Sequence, residues 1–233
     1  MCGRFASYRS AQDLADDYEV DEVTPAARAV APSYNVAPTQ QVRVVLDRAG
    51  PHGRTRELRA ARWGLVPAWA KDARIGNKMI NARQESLVDR PAFRSSLRQR
   101  RCVVPADGYY EWQRADDGGR QPFFIHDPVQ PLSLAGLYAF WRDPERGDDD
   151  PERWVLSTTI ITTAAKGQLA ELHDRVPVVL GPEAVADWLA PDLTSSPEAL
   201  GILQAPETKL AWFAVSRRVN GATQDDPGLI DPV

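Results

Sequence analysis

The chain has 233 residues, of which 43% are hydrophobic and 26% charged, and its formal net charge is −4. This length supports one large domain with a sizeable core, and the composition excludes disordered and fibrous proteins. No apolar run approaches the ~20 residues of a membrane-spanning helix, and the N-terminal segment MCGRFASYRS lacks the apolar region of a signal peptide.

Short helices and strands are predicted in the first hundred residues. Ser10 is followed by AQDLADDYEV, a pattern that predicts a short capped helix. Residues 24–39 are rich in Pro and Ala and are interpreted as a loop, and the QVRVVL that follows predicts a strand. Residues 57–66 predict a second strand that ends in a turn. The segment 91–101, PAFRSSLRQRR, predicts a short and very basic helix that opens with its proline.

Strand patterns then follow in quick succession: RCVVPA, GYYEWQR, PFFIHD, LSLAGLYAFW and RWVLSTTIITTA. The acidic run 142–152 is interpreted as a solvated loop. KGQLAELH predicts a helical turn, RVPVVL a strand, PEAVADWLA a helix that starts at Pro182, and residues 210–215 a last strand. Many short strands with few short helices predict one α+β domain over residues 1–233, built on a sheet or an open barrel.

Positive charge is concentrated in one segment. Residues 51–101 carry 13 basic and 4 acidic side chains, whereas residues 102–233 carry 10 basic and 21 acidic ones. Arginine accounts for 24 of the 28 basic residues, and its guanidinium suits bidentate contacts with phosphate. Because the distribution matters more than the sum, the negative net charge does not exclude a nucleic-acid partner.

Cys2 and Cys102 are too few and too far apart for a disulfide framework, which favours a cytoplasmic protein. Methionine is normally removed before a small residue, so loss of Met1 would leave Cys2 with a free α-amine beside its thiol. The amine (reference pKa ~8) can condense with an aldehyde, and the thiol (reference pKa ~8.5) can then close a five-membered thiazolidine ring. From its position alone, Cys2 is better explained as a passive terminal residue.

Glu111 lies in GYYEWQ, between Tyr110 and Trp112. A single carboxylate in a strand normally points to water, and the period-two alternation of a strand permits that here. If Glu111 instead faces a cleft, its aromatic neighbours would desolvate it and raise its pKa, which would suit it to proton transfer.

Two further polar groups stand in apolar surroundings. His173 lies in ELHDRVPVVL, and although a lone histidine is more often structural than catalytic, the other two histidines lie in loop-like segments. Asn81 and Arg83 lie in MINARQES between basic segments, where a turn with a surface salt bridge is the simplest interpretation.

Metal and cofactor sites are not expected. The histidines and cysteines show no ligand spacing, and no Gly-rich phosphate loop is present. A Ser-His-Asp triad is compatible with the spacing, but the GxSxG pattern is missing.

Several motifs occur together and in a fixed order: MCGRF, YNVAPTQ, RWGLVPAWA, NARQES, RCVVPADGYYEW, PFFI and LHDRVPVVL. In this combination the chain resembles the SOS response-associated peptidase (SRAP) family, whose members attach covalently to abasic sites in single-stranded DNA. The resemblance extends from Cys2 to about Ser216 and leaves residues 217–233 as a C-terminal tail. Ser33 and Val176 stand where the family often has arginine and methionine, and the acidic loop is interpreted as an insertion of variable length.

The resemblance implies an α+β domain around a curved, barrel-like sheet of mixed or antiparallel strands with short flanking helices. It implies catalytic roles for Cys2, Asn81, Glu111 and His173, and DNA contacts for Arg4, Trp69, Arg83, Trp112, Thr163 and Arg175. Cys2 would be the nucleophile after Met1 removal, Asn81 would hold its amine and backbone, Glu111 would assist ring opening and imine interconversion, and His173 would donate a proton near the sugar oxygen. Arg83 and Arg175 would hold phosphates, Trp69 and Trp112 would stack on bases or wedge the duplex junction, and Arg4 and Thr163 would line the site.

The leading prediction is therefore a DNA-damage protein that forms a lyase-like thiazolidine crosslink to abasic sites in single-stranded DNA, shields them, and removes its own Met1. A thiol peptidase (a hydrolase, as in the family's name) with Cys2 as nucleophile and His173 as base is a second possibility. A non-covalent single-strand binding module is the third. The expected protein is a cytoplasmic monomer that associates with the nucleoid when bound to DNA and uses no membrane, metal or cofactor.

Overall fold

Long strands rich in β-branched residues build a closed five-stranded barrel. The computed structural model describes residues 2–51, 53–115, 117–204 and 209–233. The strands in these residues are Phe5–Ser7 (β1), Glu22–Val23 (β2), Ser33–Val36 (β3), Gln41–Gly50 (β4), Gly53–Trp63 (β5), Asn81–Arg83 (β6), Arg101–Ala106 (β7), Gly108–Arg114 (β8), Arg120–His126 (β9), Leu132–Arg142 (β10), Trp154–Ala164 (β11), Arg175–Pro177 (β12), Val179–Leu180 (β13) and Ala211–Ala214 (β14). The α-helices are Ala11–Asp17 (α1), Pro25–Ala29 (α2), Pro91–Gln99 (α3), Leu169–Leu172 (α4), Pro182–Leu189 (α5) and Ser196–Ile202 (α6), and 3-10 helices cover 73–78, 84–86, 151–153, 217–220 and 227–230.

The barrel follows the order β5, β4, β7, β10 and β11, and it closes because β11 also pairs with β5. That closing pair is parallel, with Ser157 opposite Arg62, while the other pairs of the ring are antiparallel. A second sheet has the order β14-β9-β8-β1-β3. The fold is therefore α+β with a barrel-like mixed sheet, as predicted.

Alternation along the barrel strands divides the core in two. One set of side chains, which includes Val103 and Leu137, packs against the helices, with Trp188 of α5 among them. The other set, which includes Cys102 and Ile160, packs with residues of the second sheet such as Phe5. The second set joins the barrel to the N-terminal strand, and it is here that the site is located.

Most predicted elements are confirmed. The Ser10 hydroxyl accepts a hydrogen bond from the Asp13 backbone N–H, and the Ser10 backbone N–H donates to the Asp13 carboxylate, which is a complete capping box for α1. Proline occupies the first turn of α3 and of α5, as expected for a residue with no N–H to lose.

Two predictions about elements were wrong, and one helix was missed. Residues 24–39 are not a loop throughout, because Thr24 caps α2 and β3 pairs with β1. RVPVVL forms two strands, β12 and β13, which pair with different neighbours, β11 and β10. Helix α6 had no counterpart in the sequence prediction. The C-terminal residues 217–233 are packed, since Val219 and Leu229 are fully buried beside Ala6 and Tyr110.

Candidate active site

The N-terminal segment places Cys2 where the two sheets meet. Phe5 of β1 lies opposite Tyr109 of β8, and the Tyr110 N–H donates to the Arg4 carbonyl at 3.0 Å. The residues before β1 therefore continue along β8 toward Glu111. Cys2 itself is fully buried, and it belongs to the cluster that contains one face of the barrel strands.

Asn81 holds this segment from the side of the barrel. Its Nδ2 donates a hydrogen bond to the Cys2 carbonyl at 2.8 Å, 79 residues away in sequence. Asn81 is the first residue of β6, which runs parallel to β11 with Ile160 opposite Asn81. The interpretation of MINARQES as a turn is thus wrong for residues 81–83, since they are paired to the barrel.

The connection between β5 and β6 contains two glycines, Gly64 and Gly76, whose backbones approach each other closely. Gly64 has a φ of +125°, and a Cβ there would lie 2.5 Å from the Gly76 carbonyl oxygen. The indole Nε1 of Trp63 donates to the Ile80 carbonyl at 2.9 Å, which fixes the residue before Asn81. The amide that contacts Cys2 therefore stands on a rigid support.

Glu111 is buried on β8, and burial raises its pKa to about 7, with the Asp174 carboxylate contributing in the same direction. The expected rise is confirmed, but Tyr110 and Trp112 are not its cause. Those two side chains point to the opposite face of β8 and pack in a separate cluster. A carboxyl group that titrates near neutral pH is suited to both accepting and donating a proton.

Burial also raises the pKa of the Cys2 thiol, and the negative charge of Glu111 raises it further. The thiol is therefore protonated at neutral pH, and a thiol is a much weaker nucleophile than a thiolate. Reaction at the Cys2 sulfur requires a base, and the Glu111 carboxylate is coupled to it electrostatically.

Tyr109 belongs to the same group of side chains and was missed by the sequence analysis. It is fully buried, and its hydroxyl has no hydrogen-bond partner among the described residues. Burial, together with the charges of Cys2 and Glu111, raises the pKa of Tyr109 well above its usual value. The signal was present in the sequence, because Tyr109 is two residues before Glu111 and so shares its face of the strand.

His173 follows α4, which lies beside β8 through a hydrogen bond from Gln113 Nε2 to the Glu171 carbonyl at 3.2 Å. Its Nδ1 lies 2.9 Å from the Arg175 backbone N–H and 2.7 Å from Asp174 Oδ1. One nitrogen cannot accept from the first and donate to the second in the same protonation state. Burial lowers the pKa of His173, which favours the neutral ring that accepts from Arg175 and carries its proton on Nε2.

Trp69 and Arg83 lie beside Asn81 on the surface. Trp69 is 60% exposed, and Arg83 is exposed at the end of β6. Together with Asn81 and Arg90 they line a groove of about 620 Å³. Both residues are accessible to a ligand that occupies this groove.

Arg175 is engaged within the protein. Its guanidinium makes a bidentate ion pair with Glu85, at 2.7 and 2.9 Å, and donates to the Thr162 carbonyl at 2.7 Å. A phosphate at this position would have to displace or share the Glu85 carboxylate. Thr163, which is partly buried, lies opposite Val176 in the adjacent strand pair.

Arg4 and Trp112 face the C-terminal segment. Arg4 Nη1 donates to Asn35 Oδ1 at 2.7 Å and to the Val219 carbonyl at 3.1 Å. Trp112 Nε1 donates to Asn220 Oδ1 at 2.6 Å. These contacts place both side chains on the opposite face of β8 from Glu111, in positions that stabilise the fold.

No group of three His, Cys, Asp or Glu side chains within the described residues is arranged to hold a metal ion. In the same residues, no helix has the length and apolarity needed to cross a membrane. Met1 and His52 lie outside the described residues.

The sequence matches the profile of the SOS response associated peptidase (SRAP) family over residues 1–222. It is 37% identical over 233 residues to the abasic site processing protein YoqW of Bacillus subtilis (strain 168), covering 99% of both chains. It is 33% identical over 244 residues to the abasic site processing protein YedK of Escherichia coli (strain K12), covering 100% of both. A crystal structure of a protein from Bacteroides thetaiotaomicron superposes over 100% of both chains with a TM-score of 0.83 at 23% identity, which shows a shared fold.

Proposed function

The chain belongs to the SRAP family, and we propose that it processes abasic sites in DNA by joining the α-amine and thiol of Cys2 to the aldehyde of the open sugar. Relatives that cover nearly the whole chain are named abasic site processing proteins, which supports this substrate. The observation that carries the proposal is the position of Cys2. Its carbonyl is held by Asn81 at 2.8 Å, and its thiol is coupled to a carboxyl group with a pKa of about 7.

The reaction releases one water molecule. The Cys2 amine adds to the C1′ aldehyde carbon, the resulting hydroxyl group leaves as water, and an imine forms. The thiol then adds to the imine carbon, its proton passes to the imine nitrogen, and a five-membered thiazolidine ring closes. No oxidant, metal or cofactor enters this balance.

Each step moves a proton, and Glu111 is placed to move it. As a carboxylate it accepts the proton of the amine or of the thiol, and as an acid it donates to the departing hydroxyl group. Both forms are populated near neutral pH because burial raises the pKa of Glu111 to about 7. A neutral His173 with its proton on Nε2 would donate to the sugar oxygen as the ring opens.

Asn81 positions the reacting residue. Its amide fixes the backbone of Cys2, and through the backbone it fixes the direction of the amine and the thiol. The conformational freedom of these groups is therefore already restricted before the substrate binds. Arg83 and Trp69, on the groove beside Asn81, supply a positive charge and an aromatic surface for a single DNA strand.

Removal of Met1 is part of the proposal, because only then does Cys2 have an α-amine. A thiol peptidase would need the Cys2 sulfur alone, whereas an aldehyde reacts with the α-amine as well as with the thiol. The chemistry of the site therefore fits an aldehyde better than a peptide.

The test is a gel-shift assay under denaturing conditions with an abasic single-stranded oligonucleotide and an undamaged one. Processed protein should give an adduct that survives heat and SDS with the abasic strand only. Cys2→Ala and a variant with an uncleaved N-terminal extension should both give none. A stable adduct formed by either variant would contradict the proposal. The absence of an adduct with fully processed wild-type protein would contradict it as well.

A further inference from the structure

A row of arginines without acidic partners leads away from the site. Arg83, Arg90, Arg94 and Arg98 are all exposed, and within the described residues none of the four makes an ion pair. Several other exposed arginines are neutralised within the protein, as Arg217 is by Asp117 at 2.7 Å. Arg98 Nε donates to the Thr194 carbonyl at 3.3 Å, and an exposed guanidinium with no acidic partner is available for an anion from outside the molecule.

Three of these residues lie along α3, with Arg90 at its N-cap and Arg94 and Arg98 within the helix. Arg90, Arg94 and Arg98 are spaced by four residues, so they are neighbours along the helix, with a rise of about 6 Å from one to the next. We call these three side chains the arginine ridge. The adjacent side of α3 is anchored in the core through Phe93 and Leu97, which fixes the orientation of the helix that carries the ridge.

The ridge is continuous with the candidate active site. Arg90 and Pro91 line the groove that contains Asn81 and Arg83. Pro91 also lines the next groove, of about 520 Å³, which contains Arg94 and Arg98. A chain that occupies the first groove can therefore continue into the second without leaving the positive surface.

The second groove has the composition of a phosphate-binding surface. Its polar lining consists of Arg94, Arg98, Gln99 and the hydroxyl residues Ser95, Thr194, Ser195 and Ser196, and it includes no acidic residue. Hydroxyl groups and arginines together are typical contacts of a nucleic-acid backbone. Two acids lie nearby: Glu85 is already paired with Arg175, and Asp89 is exposed beside Arg90.

We propose that the arginine ridge binds the backbone phosphates of the DNA strand that continues from the abasic site, and so extends the binding surface along α3. This inference rests on the proposed function, since it takes the strand to be DNA anchored at Cys2. It adds a contact between the arginine ridge and the DNA backbone that does not take part in bond formation at Cys2. The ridge would raise affinity for long strands over short ones, without reading their sequence.

The test compares a short abasic oligonucleotide with longer ones that are extended on the 5′ or the 3′ side. Affinity is measured against salt concentration for wild type, Arg94→Glu and Arg28→Glu. Arg28 is a matched control, because it is an exposed arginine on α2 without an ion pair in the described residues, so both variants change the net charge equally. Arg94→Gln, which removes the charge without reversing it, separates the missing attraction from the added repulsion.

Wild type should bind one of the extended strands more tightly than the short strand. Arg94→Glu should remove most of that advantage, and its slope of log K against log salt on the extended strand should fall by about 0.7 for each phosphate that the protein no longer neutralises. The affinity of Arg94→Gln for the extended strand should lie between those of wild type and Arg94→Glu, and the affinity of Arg28→Glu should match that of wild type.

Equal decreases in affinity on short and extended strands, or equal decreases in Arg94→Glu and Arg28→Glu, would overturn the inference. An Arg94→Glu variant that binds the extended strand with wild-type affinity would also overturn the inference, and it would point to an acidic protein as the partner of the ridge. If the wild type formed no adduct but still bound extended undamaged strands through Arg94, the ridge would stand and the proposed chemistry would fail.

Discussion

The two cysteines of the chain lie in the same buried cluster but in different chemical surroundings. Cys2 and Cys102 are both fully buried and both free thiols. Burial raises the pKa of Cys102 to about 12, and it raises the pKa of Cys2 as well. Cys102 lies in the barrel, where its sulfur is 3.4 Å from the Thr158 hydroxyl.

The difference between them is the set of groups that can move a proton. Cys2 is coupled to Glu111 and Tyr109, and its backbone is held by Asn81. The pKa shift of Cys102 comes from burial and from its contact with Thr158, and the ionisable group coupled to it in the described residues is the Tyr138 hydroxyl, not a carboxylate. Burial alone makes a thiol inert, and a titratable neighbour together with a free amine is what can make it reactive.

Glu111→Gln should produce the largest change among variants that keep both cysteines. The amide cannot accept a proton, so crosslinking should slow by the ~10²–10⁴-fold typical of general acid–base catalysis. Because the carboxylate is the active base, the wild-type single-turnover rate should rise with pH through about 7, and this inflection should vanish in the variant. If the variant showed the wild-type dependence of rate on pH, Glu111 would not be the feature that distinguishes Cys2 from Cys102.

The same substitution has a second, independent readout in stability. The carboxyl pKa is higher in the folded protein, at about 7, than in the unfolded chain, at 4.5. The folded state therefore binds the extra proton, and this group's contribution to stability falls as pH rises from about 4.5 to 7. Thermal unfolding should show Glu111→Gln to be more stable than wild type at pH 8 and not at pH 4, which would also show that the slow variant is folded.

Tyr109→Phe tests a smaller contribution. The change removes only the buried hydroxyl that has no partner in the described residues, and it keeps the ring that packs beside Phe5 and Ile125. If the hydroxyl donates to the thiolate or to the sugar oxygen during the reaction, crosslinking should slow by about tenfold, the value of one hydrogen bond of ~1.4 kcal/mol. Tyr110→Phe is the matched control, because the Tyr110 hydroxyl donates to the Tyr34 carbonyl on the other face of β8. Equal rates for Tyr109→Phe and wild type would show that Tyr109 serves only to fill space.

Cys102→Ala should have the smallest effect on the reaction. The adduct should form at the wild-type rate, because this thiol has neither an α-amine nor a base. Denaturant unfolding should instead show a decrease in stability of about 1 kcal/mol, from a small cavity beside Thr158 in the barrel. A slower adduct in this variant, with stability unchanged, would show that the two thiols are chemically linked.

The fold was predictable from local patterns where these are strong. The capping box at Ser10, the proline that opens α3 and the long runs of β-branched residues specify their elements without tertiary context. Helix α2 and strand β3 were missed because they are short and lie in a segment rich in Pro and Ala, where pairing with β1 and capping by Thr24 decide the outcome.

The site was predictable in its residues more than in its geometry. Strand alternation in β8 could have shown that Trp112 faces away from Glu111 and that Tyr109 faces with it. No local pattern could have shown the ion pair between Arg175 and Glu85, which lie 90 residues apart, or the hydrogen bond from Asn81 to Cys2. Such contacts depend on how β6 and β12 are arranged around β11, which follows from the closure of the barrel.

The most direct measurement is a count of free thiols in the denatured adduct by alkylation and mass spectrometry. An imine and a thiazolidine have the same mass, but only the ring consumes the thiol of Cys2. The proposed reaction predicts an adduct that lacks Met1, that has released one water relative to its components, and that is alkylated once, at Cys102. Alkylation at both cysteines would show that the bond is a simple imine, and attachment at any residue other than Cys2 would contradict the proposed role of the N-terminal site.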